Sequence, residues 1–248
     1  MKTCNSSLLL IFSLFVFLSC ENTQKYSAEA FVNASIETHG MKAFNKKSIA
    51  FRFRNYRYSQ TWDSEGLIFT RQKNTTPEIF DRLHSKNGFD RIINNKKAIL
   101  PDSISKMYSE SLNSVLYFFR LPYTLKDVGA IKTLMNTESI MGSSYQKIGV
   151  HFTSENGGVD YQDTFRYWFE KETKTLDYLA YQFHTNVGGN RFRVAINRRI
   201  IDGIVFQDYE NYRAPKNIPL DELPTLYEQG KLELLSLIEK DSIIIMKP

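Results

Sequence analysis

Much of this chain alternates polar and apolar residues with a period of two, which is the pattern of a β-strand that buries one face. The longest such stretch runs from Asp160 to Tyr212 and reads DYQDTFRYWF, LDYLAYQFHT, NRFRVAINRRI and GIVFQDYENY. The breaks between these runs are KETKT, NVGG and the pair Asp202-Gly203, all rich in turn-forming residues. The stretch therefore predicts a meander of antiparallel hairpins.

Apolar residues follow helical spacing in three other segments. Each segment ends at a residue that stops helices, and the first also begins after a candidate N-cap, Ser27. The segments are residues 28–39, ended by Gly40; residues 103–121, ended by Pro122; and residues 220–229, ended by Gly230. We therefore predict an N-terminal helix, a second helix that interrupts the sheet and a short third helix near the C-terminus.

Shorter alternating runs predict further strands on both sides of the second helix. Residues 48–60 read as one strand, which the turn at residues 63–66 joins to a strand over residues 67–71. The other predicted strands are residues 79–83, 88–93, 97–100, 131–136 and 145–153 and the C-terminal runs LELLSLI and SIIIM. The predicted fold class is mainly β (α+β) with antiparallel pairing. Because no repeat or linker divides the body, residues 28–248 are expected to form one domain.

Composition agrees with a β-rich globular protein. Among the 248 residues, 42% are hydrophobic and 24% are charged, which is ordinary, whereas the aromatic share of 14% is high and suits β-sheet. The net charge of +5 comes from Lys and Arg spread along the chain rather than massed in one block. This distribution argues against nucleic acid as a partner.

The N-terminus carries an apolar run from Leu8 to Leu18, followed by Ser19-Cys20 and an abrupt change to polar residues. A run of this length is too short to span a bilayer and is typical of a secretion signal. The sequence Phe17-Leu18-Ser19-Cys20 resembles a bacterial lipobox, in which the cysteine is acylated; the alternative is ordinary signal cleavage beside a chance cysteine. We therefore predict a signal peptide over residues 1–19, lipid attachment at Cys20 and a lipidated tether over residues 20–27.

Cys4 and Cys20 are the only cysteines, and Cys4 lies in the predicted leader. The predicted mature body therefore has no disulfide, no catalytic thiol and no cysteine metal site. We expect a monomer that a lipid anchor attaches to the membrane without a transmembrane helix. The predicted location is the periplasm-facing side of a membrane of a Gram-negative cell envelope, with the choice between inner and outer membrane left open.

The turns also predict a register for the meander. Asp202-Gly203 is a type I′ turn signal, which pairs the residues on either side of it in a continuous ladder. The predicted pairs are Ile201 with Ile204, Asn197 with Asp208, Arg193 with Tyr212 and, across the next turn, His184 with Arg191 and Gln182 with Arg193. One face then collects Tyr178, Gln182, His184, Arg191, Arg193, Asn197, Asp208 and Tyr212. The opposite face collects Leu179, Tyr181, Phe183, Phe192, Val194 and Ile196.

Two more residues, Asp163 and Tyr167, join the polar face unless the KETKT turn shifts the register by one and places Thr164 and Trp168 there instead. This face is either a solvated exterior or the lining of a cavity. In a cavity, its arginines and histidine would meet an anionic or hydroxylated group of a ligand while its tyrosines pack the ligand body. The ten polar-face residues are therefore candidate ligand-binding residues.

No motif in the sequence requires catalysis. The four histidines, His39, His84, His151 and His184, have no HxH or HExxH spacing, and the Gly-Gly pairs lie between predicted strands rather than before a helix. A metal site built from His151 and His184 with Asp160 or Asp163 is an alternative, as is acid-base chemistry by His184 with Asp163 or Asp208. We predict no catalytic residue, no metal and no cofactor.

A series of segments begins with the helix that ends at His39-Gly40. It continues with SIAFRFRNYRY, SLNSVLYFFRLPY, YQKIGVHF, DYQDTFRYW, LDYLAYQFHT, GGNRFR and FQDYENY. This series resembles an uncharacterised family of exported bacterial lipoproteins over nearly all of residues 28–240. Members are sometimes labelled deoxyribose-phosphate aldolase, but such aldolases are barrels of alternating strands and helices with a Schiff-base lysine, and neither feature is recognisable here.

The order of helix, antiparallel sheet, inserted helix and further sheet is also similar to that of the lipoprotein-sorting carriers LolA and LolB. This resemblance implies a curved sheet or half-open barrel whose concave face holds acyl chains, with one or two helices as a lid. It implies a non-catalytic lipoprotein that binds a lipid or another amphipathic small ligand in a half-barrel cavity. The alternatives are a structural or partner-binding envelope lipoprotein and a hydrolase or lyase. The concave face is either the polar one or the apolar one that includes Phe51, Phe53, Phe183, Phe192 and Ile196.

Overall fold

The computed structural model of the chain describes residues 27–153, 162–184 and 188–246. The predicted signal peptide, the predicted lipid attachment point Cys20, nearly all of the predicted tether, and Asp160 lie outside these ranges. Within them, the chain forms fourteen strands in two antiparallel sheets of seven, and both sheets are curved without closing into a barrel. The predicted mainly antiparallel β fold is therefore confirmed.

The first sheet has the strand order β14-β1-β2-β3-β4-β5-β6. Its strands are β1 (Ser48–Phe53), β2 (Tyr56–Trp62), β3 (Leu67–Lys73), β4 (Ile79–His84), β5 (Gly88–Ile93), β6 (Lys96–Lys97) and β14 (Asp241–Met246). The second sheet has the order β13-β12-β11-β10-β9-β8-β7. Its strands are β7 (Ala130–Ile140), β8 (Ser143–Phe152), β9 (Thr164–Glu170), β10 (Leu176–Phe183), β11 (Gly189–Ile201), β12 (Ile204–Ala214) and β13 (Glu233–Ile238).

Three α-helices accompany the sheets: α1 (Ala28–Thr38), α2 (Asp102–Phe119) and α3 (Leu223–Glu228). The predicted cap of the first helix is confirmed, because the Ser27 hydroxyl accepts a hydrogen bond from the Ala30 amide at 3.1 Å. Among the described residues, no helix is both long enough and apolar enough to cross a membrane.

One hydrophobic core joins both sheets to α1 and α2. Its members include Phe31 and Val32 of α1, Phe51 of β1, Leu116 of α2 and Tyr167 of β9. We call the face of each sheet that contributes to this core its inner face, and the opposite face its outer face. The outer face of the second sheet has a smaller core of its own, under the covering segment of residues 215–232 that contains α3. The second sheet is therefore packed on both faces.

The main error in the predicted elements concerns residues 48–60. This stretch is a hairpin rather than one strand, because the chain turns at Arg54-Asn55 and pairs Phe53 with Tyr56. Arg54 adopts a φ of 54°, a left-handed conformation that sequence patterns assign to Gly, Asn or Asp. The alternation of polar and apolar residues continues through the turn, so periodicity alone could not locate it.

Candidate functional site on the inner face of the second sheet

The hairpin of β11 and β12 begins in the predicted register and then leaves it. Ile201 pairs with Ile204 across the turn, where Asp202 and Gly203 adopt φ values of 48° and 77°. A β-bulge follows, after which the pairs are shifted by one residue relative to the prediction. Arg199 pairs with Phe206 before the bulge, and the pairs after it are Ile196 with Asp208, Arg193 with Asn211, and Phe192 with Tyr212. The predicted pairs of Asn197 with Asp208 and Arg193 with Tyr212 are therefore wrong.

The register between β10 and β11 also differs from the prediction. Arg191 pairs with Tyr181 instead of His184, because Gly189 belongs to the strand and pairs with Phe183. Gln182 lies opposite Asn190 instead of Arg193. Since a slip of one residue turns every side chain to the other face of a sheet, the predicted polar face does not exist as a single surface.

The ten candidate residues instead divide among four places. Tyr167, Arg191 and Arg193 lie on the inner face. Tyr178, Gln182 and Tyr212 lie on the outer face. Trp168 lies there too, because it pairs with Tyr178, as the alternative register for the KETKT turn predicted. The remaining four residues form two polar clusters, described below, at the loop end of β10 and near the bulge of β11.

The outer-face candidates hold the covering segment. The Tyr178 ring contacts the Tyr227 ring with centroids 6.1 Å apart, and Gln182 donates a hydrogen bond to the carbonyl of Lys216 at 3.1 Å. Tyr212 contacts the Tyr227 ring edge-on at 5.3 Å. These contacts attach residues 215–232 to the sheet, which gives the three side chains a structural role. A ligand-binding role for them stays a prediction.

Asp163 and His184 form a pair at the loop end of β10. One carboxylate oxygen of Asp163 lies 3.2 Å from Nδ1 of His184 and accepts a hydrogen bond from the His184 amide at 3.1 Å. The His184 side chain is 40% exposed, whereas burial raises the pKa of Asp163. Across the described ranges, no three His, Cys, Asp or Glu side chains are grouped closely enough to hold a metal ion.

Asp208 and Asn197 belong to a different cluster, at the junction between β13 and β14. The Asp208 carboxylate accepts a hydrogen bond from Nη1 of Arg199 at 3.0 Å and one from the Lys240 amide at 3.0 Å. Arg199 also donates to the carbonyl of Asn197 at 2.9 Å, next to the bulge. The Lys240 ammonium is buried 3.8 Å from Asp208, and burial lowers its pKa to about 7, with Arg193 and Arg199 contributing.

Replacing Lys240 by Met should flatten the pH dependence of unfolding above pH 7. Between the folded-state pKa of about 7 and the ordinary value near 10.4, the unfolded chain binds one proton more than the folded chain. The destabilisation by this buried charge is therefore complete below the folded pKa and declines as the pH rises, by roughly 1 kcal/mol per pH unit. Urea unfolding at pH 7, 8 and 9 measures this slope. Lys96→Met, at an exposed position, is the control and should keep the slope of the wild type. Equal slopes in the two variants would contradict the prediction.

The inner face of the second sheet carries a continuous aromatic surface at its loop end. It consists of Tyr117, Phe118, Phe152, Phe165, Tyr181 and Phe183. Neighbouring ring centroids lie 5.2 to 6.1 Å apart, as in the pairs Phe118 with Tyr181 and Tyr181 with Phe183. Every ring except that of Phe165 is only partly buried, so the surface is reached from solvent. Below it, the hydroxyls of Tyr117 and Tyr167 lie 2.7 Å apart.

Two arginines of β11 stack on this aromatic surface. The Arg193 guanidinium lies 3.9 Å from the ring centroid of Phe118, donates from Nη2 to the Tyr181 hydroxyl at 2.8 Å and from Nε to Asn211 at 3.2 Å. Arg191 lies 4.9 Å from the ring centroid of Phe183. This surface therefore combines an apolar area with cationic groups at its border, which is a chemistry suited to an amphipathic molecule.

Sequence reasoning selected the two arginines but missed the helical contribution to the surface. Tyr117 and Phe118 belong to α2, and Tyr117 precedes Tyr167 by 50 residues, so the two rings reach the sheet only through tertiary packing. The one available signal was the cluster of three consecutive aromatic residues at 117–119, since a helix of this amphipathic pattern cannot bury all three against one neighbour.

A second charged cluster lies on the inner face of the first sheet. Asp81 is fully buried between Arg71 and Arg91, which pair with it at 2.5 and 2.6 Å. Arg71 also donates to the Ser111 hydroxyl of α2 at 3.0 Å, and Arg91 lies 3.4 Å from the ring centroid of Tyr108 on the same helix. The cluster therefore attaches α2 to the first sheet.

An open recess of about 430 Å³ adjoins this cluster, between β5, β6 and the start of α2. Its cations are Arg91 and Lys97, which already pair with Asp81 and Asp90 at 2.6 Å each. Both cations of the recess therefore already have carboxylate partners. At the aromatic surface of the second sheet, by contrast, Arg191 and Arg193 form no ion pair within the described residues.

The fold and the candidate site define a mainly antiparallel β-protein of two curved sheets, with an aromatic and cationic inner surface. The chain belongs to the family described as "Family of unknown function (DUF6503)", which matches residues 7–240. The antiparallel sheets differ from the alternating barrel of deoxyribose-phosphate aldolases.

Several solved structures are similar to this chain at low sequence identity. A LolA superfamily protein from Nitrosomonas europaea is 12% identical, with 90% of this chain and 95% of that chain covered and a TM-score of 0.46. A putative outer membrane lipoprotein-sorting protein domain from Vibrio parahaemolyticus is 11% identical, with 74% and 86% covered and a TM-score of 0.42. The Mycobacterium tuberculosis lipoprotein LppX is 15% identical, with 64% and 91% covered and a TM-score of 0.29. No curated protein matches the chain.

Proposed function

We propose that this protein binds a lipid or another amphipathic small molecule at the aromatic surface on the inner face of its second sheet, without catalysis. The observation that carries the proposal is the partly exposed series of rings bordered by Arg191 and Arg193. Water-accessible aromatic area of this kind is unfavourable unless something covers it, and a flexible apolar chain can pack along a series of rings.

Helix α2 supports the proposal because it forms one wall of the aromatic surface without being part of a sheet. Its C-terminal half supplies Tyr117 and Phe118, and no residue of its N-terminal half, 102–110, is fully buried, with Met107 50% exposed. A ligand that enters between α2 and the second sheet would need to separate side chains, not hydrogen-bonded strands. We therefore assign α2 the role of the lid.

The envelope location belongs to the same proposal. The predicted signal peptide and the lipid attachment at Cys20 would place a monomer on the periplasmic side of a membrane, where lipids are the abundant amphipathic molecules. Mass spectrometry of the mature N-terminus tests this part: a diacylated or triacylated Cys20 supports it, and an N-terminus at another residue contradicts it.

Ligand binding is tested with the full chain purified in a non-ionic detergent. Organic extraction followed by mass spectrometry should recover a co-purified amphipathic molecule. The neutral fluorescent probe N-phenylnaphthylamine should bind as well, and Tyr181→Ala and Phe183→Ala should each weaken its affinity by about tenfold because ring contact area is lost. Tyr212→Ala, which removes a comparable ring from the outer face, should leave the affinity unchanged.

The outcomes separate the proposal from a structural or partner-binding role. Failure to recover a ligand together with absence of probe binding would contradict the proposal. Equal weakening by the inner-face and outer-face variants would place the binding elsewhere on the protein.

The Asp163–His184 pair favours a second candidate function, acid-base chemistry on a bound ligand. The two groups lie within hydrogen-bonding distance at the loop end of β10, and the His184 ring is partly exposed. A substrate screen with ester and phosphoester lipids tests this candidate. Turnover that His184→Ala and Asp163→Asn abolish supports it, and the absence of turnover, or turnover that both variants retain, contradicts it.

A further inference from the structure

Buried cations outnumber buried carboxylates around the core between the two sheets. Residues with at most 8% exposure there are Arg71, Arg91, Arg120, Arg193 and Lys240, whereas the buried carboxylates are Asp81, Asp208 and, at the loop end of β10, Asp163, which pairs with His184. A buried charge without a counter-ion is unfavourable by several kcal/mol, on the order of the whole stability of many domains. The excess of positive charge therefore needs an explanation.

Most of these cations are explained by their neighbours. Asp81 pairs with Arg71 and Arg91, and Asp208 lies beside Lys240. Arg120, at the end of α2, lies 5.4 and 5.6 Å from the ring centroids of Phe69 and Tyr123, and the negative charge of Asp127 acts on it.

Arg193 is different because it is nearly buried, yet it borders the accessible aromatic surface. Its hydrogen-bond partners, Asn211 and Tyr181, are neutral, and no carboxylate in the described ranges lies within ion-pair distance of it. Its positive charge also reaches Lys240, where it helps to lower the pKa of the amine. The charge of Arg193 is therefore not neutralised locally.

Arg191 adds a second cation to the same border. It lies two residues from Arg193 on β11, so the two side chains share a face about 7 Å apart along the strand. Its charged group contacts the Phe183 ring and the carbonyl of Asn190, and it forms no ion pair within the part of the chain that the structure describes. A planar guanidinium binds carboxylate and phosphate oxygens in a fixed fork, which an isolated ammonium does not.

We infer that the ligand carries an anionic group, a carboxylate or a phosphate, and that Arg193 binds it with Arg191 as the outer partner. The inference rests on the proposed function, since the apolar body of the same ligand would occupy the aromatic surface. The anionic group supplies the counter-ion that the folded chain lacks at this position.

A pair of probes that differ only in charge tests this inference. Parinaric acid and its methyl ester have the same fluorescent hydrocarbon chain, and their affinities for the full chain are measured in the same non-ionic detergent. The acid should bind at least about tenfold more tightly than the ester, the factor expected for one charge-assisted hydrogen bond. Competition by oleic acid, phosphatidic acid and diacylglycerol then distinguishes a carboxylate from a phosphate source, with the neutral lipid as the weakest competitor.

Variants separate recognition of charge from support of the fold. Arg193→Gln should reduce affinity for the acid by about tenfold and leave affinity for the ester unchanged, while Arg193→Lys should recover only part of the loss because it lacks the fork. Arg191→Gln, at a more exposed position, should reduce affinity for the acid by about threefold and avoids any loss of folding. Arg82→Gln, which removes an exposed arginine from the outer face of the first sheet, is the control.

The possible failures are distinguishable. Equal affinity for the acid and the ester, unaffected by Arg193→Gln, would overturn the anionic inference and leave the proposed function standing. Absence of binding by both probes would overturn the proposed function, and the inference with it.

Discussion

The Asp81→Asn variant should have a free energy of unfolding about 3–5 kcal/mol lower than that of the wild type. Asp81 is fully buried, and its two oxygens accept hydrogen bonds from Nε and Nη2 of both Arg71 and Arg91, at 2.5 to 2.9 Å. An asparagine has the same shape but no charge and only one acceptor oxygen, so it leaves two guanidinium groups buried without a counter-ion. Guanidinium chloride unfolding measures the loss from the change in midpoint at constant slope.

Asp90→Asn is the matched control for this prediction. Asp90 lies on the next strand of the same sheet, also between two cations, with Arg82 at 2.9 Å and Lys97 at 2.6 Å. These pairs are solvent-exposed, so removing the charge should lower the free energy of unfolding by at most about 1 kcal/mol. A similar small loss in both variants would show that the Asp81 cluster is hydrated and does not fix α2 on the sheet.

The cluster of Arg71, Asp81 and Arg91 could have been found from the sequence, whereas the details of the second sheet could not. The three residues pair directly across β3, β4 and β5, and their regular spacing of ten residues is visible in the chain once those hairpins are predicted. The predicted caps at Ser27 and Gly40 and the turn at Asp202-Gly203 were also correct, because each signal depends on only a few adjacent residues.

The register of the meander was beyond prediction for a physical reason. The bulge near Asn197 inserts one residue into β11, and neither Asn197 nor its neighbours have a composition that marks a bulge. A separate difference in register between β10 and β11, where Gly189 pairs with Phe183, places Tyr178 and Gln182 on the outer face and Tyr181 on the inner one. Phe118, which Arg193 contacts, comes from a helix whose position no local pattern determines.

Helix α2 is contacted by stacked guanidinium groups from both sheets. Arg91 of the first sheet lies over Tyr108, and Arg193 of the second sheet lies over Phe118. Arg91 pairs with the carboxylate of Asp81, whereas Arg193 has only neutral partners. A ligand that separates α2 from the second sheet would therefore meet the cation of Arg193. The attachment of α2 to the first sheet through Arg91 would be kept. We therefore expect the proposed lid to open on the side of the second sheet.

The Gly40→Ala variant should lose roughly 2–5 kcal/mol of stability. Gly40 follows α1 with a φ of 67°, and a Cβ built there would lie 1.8 Å from the carbonyl oxygen of Gly203 in the β11–β12 turn. The carbonyl of His39 accepts a hydrogen bond from the Val205 amide at 2.9 Å at the same contact, so neither backbone can withdraw without breaking it. The loss therefore combines left-handed strain, about 1–2 kcal/mol, with overpacking between α1 and the hairpin.

Gly230→Ala separates these two contributions. Gly230 follows α3 with a φ of 66°, and an added Cβ there meets no atom within 4 Å, so the variant should lose only the strain of about 1–2 kcal/mol. Thermal or urea unfolding of both variants measures the difference, and equal losses would contradict the close contact of α1 with the hairpin. Because Gly203 and the aromatic surface lie at opposite ends of β11, Gly40→Ala should weaken folding while probe affinity at Arg193 is retained in the folded fraction. A parallel loss of affinity would mean that α1 also positions the site.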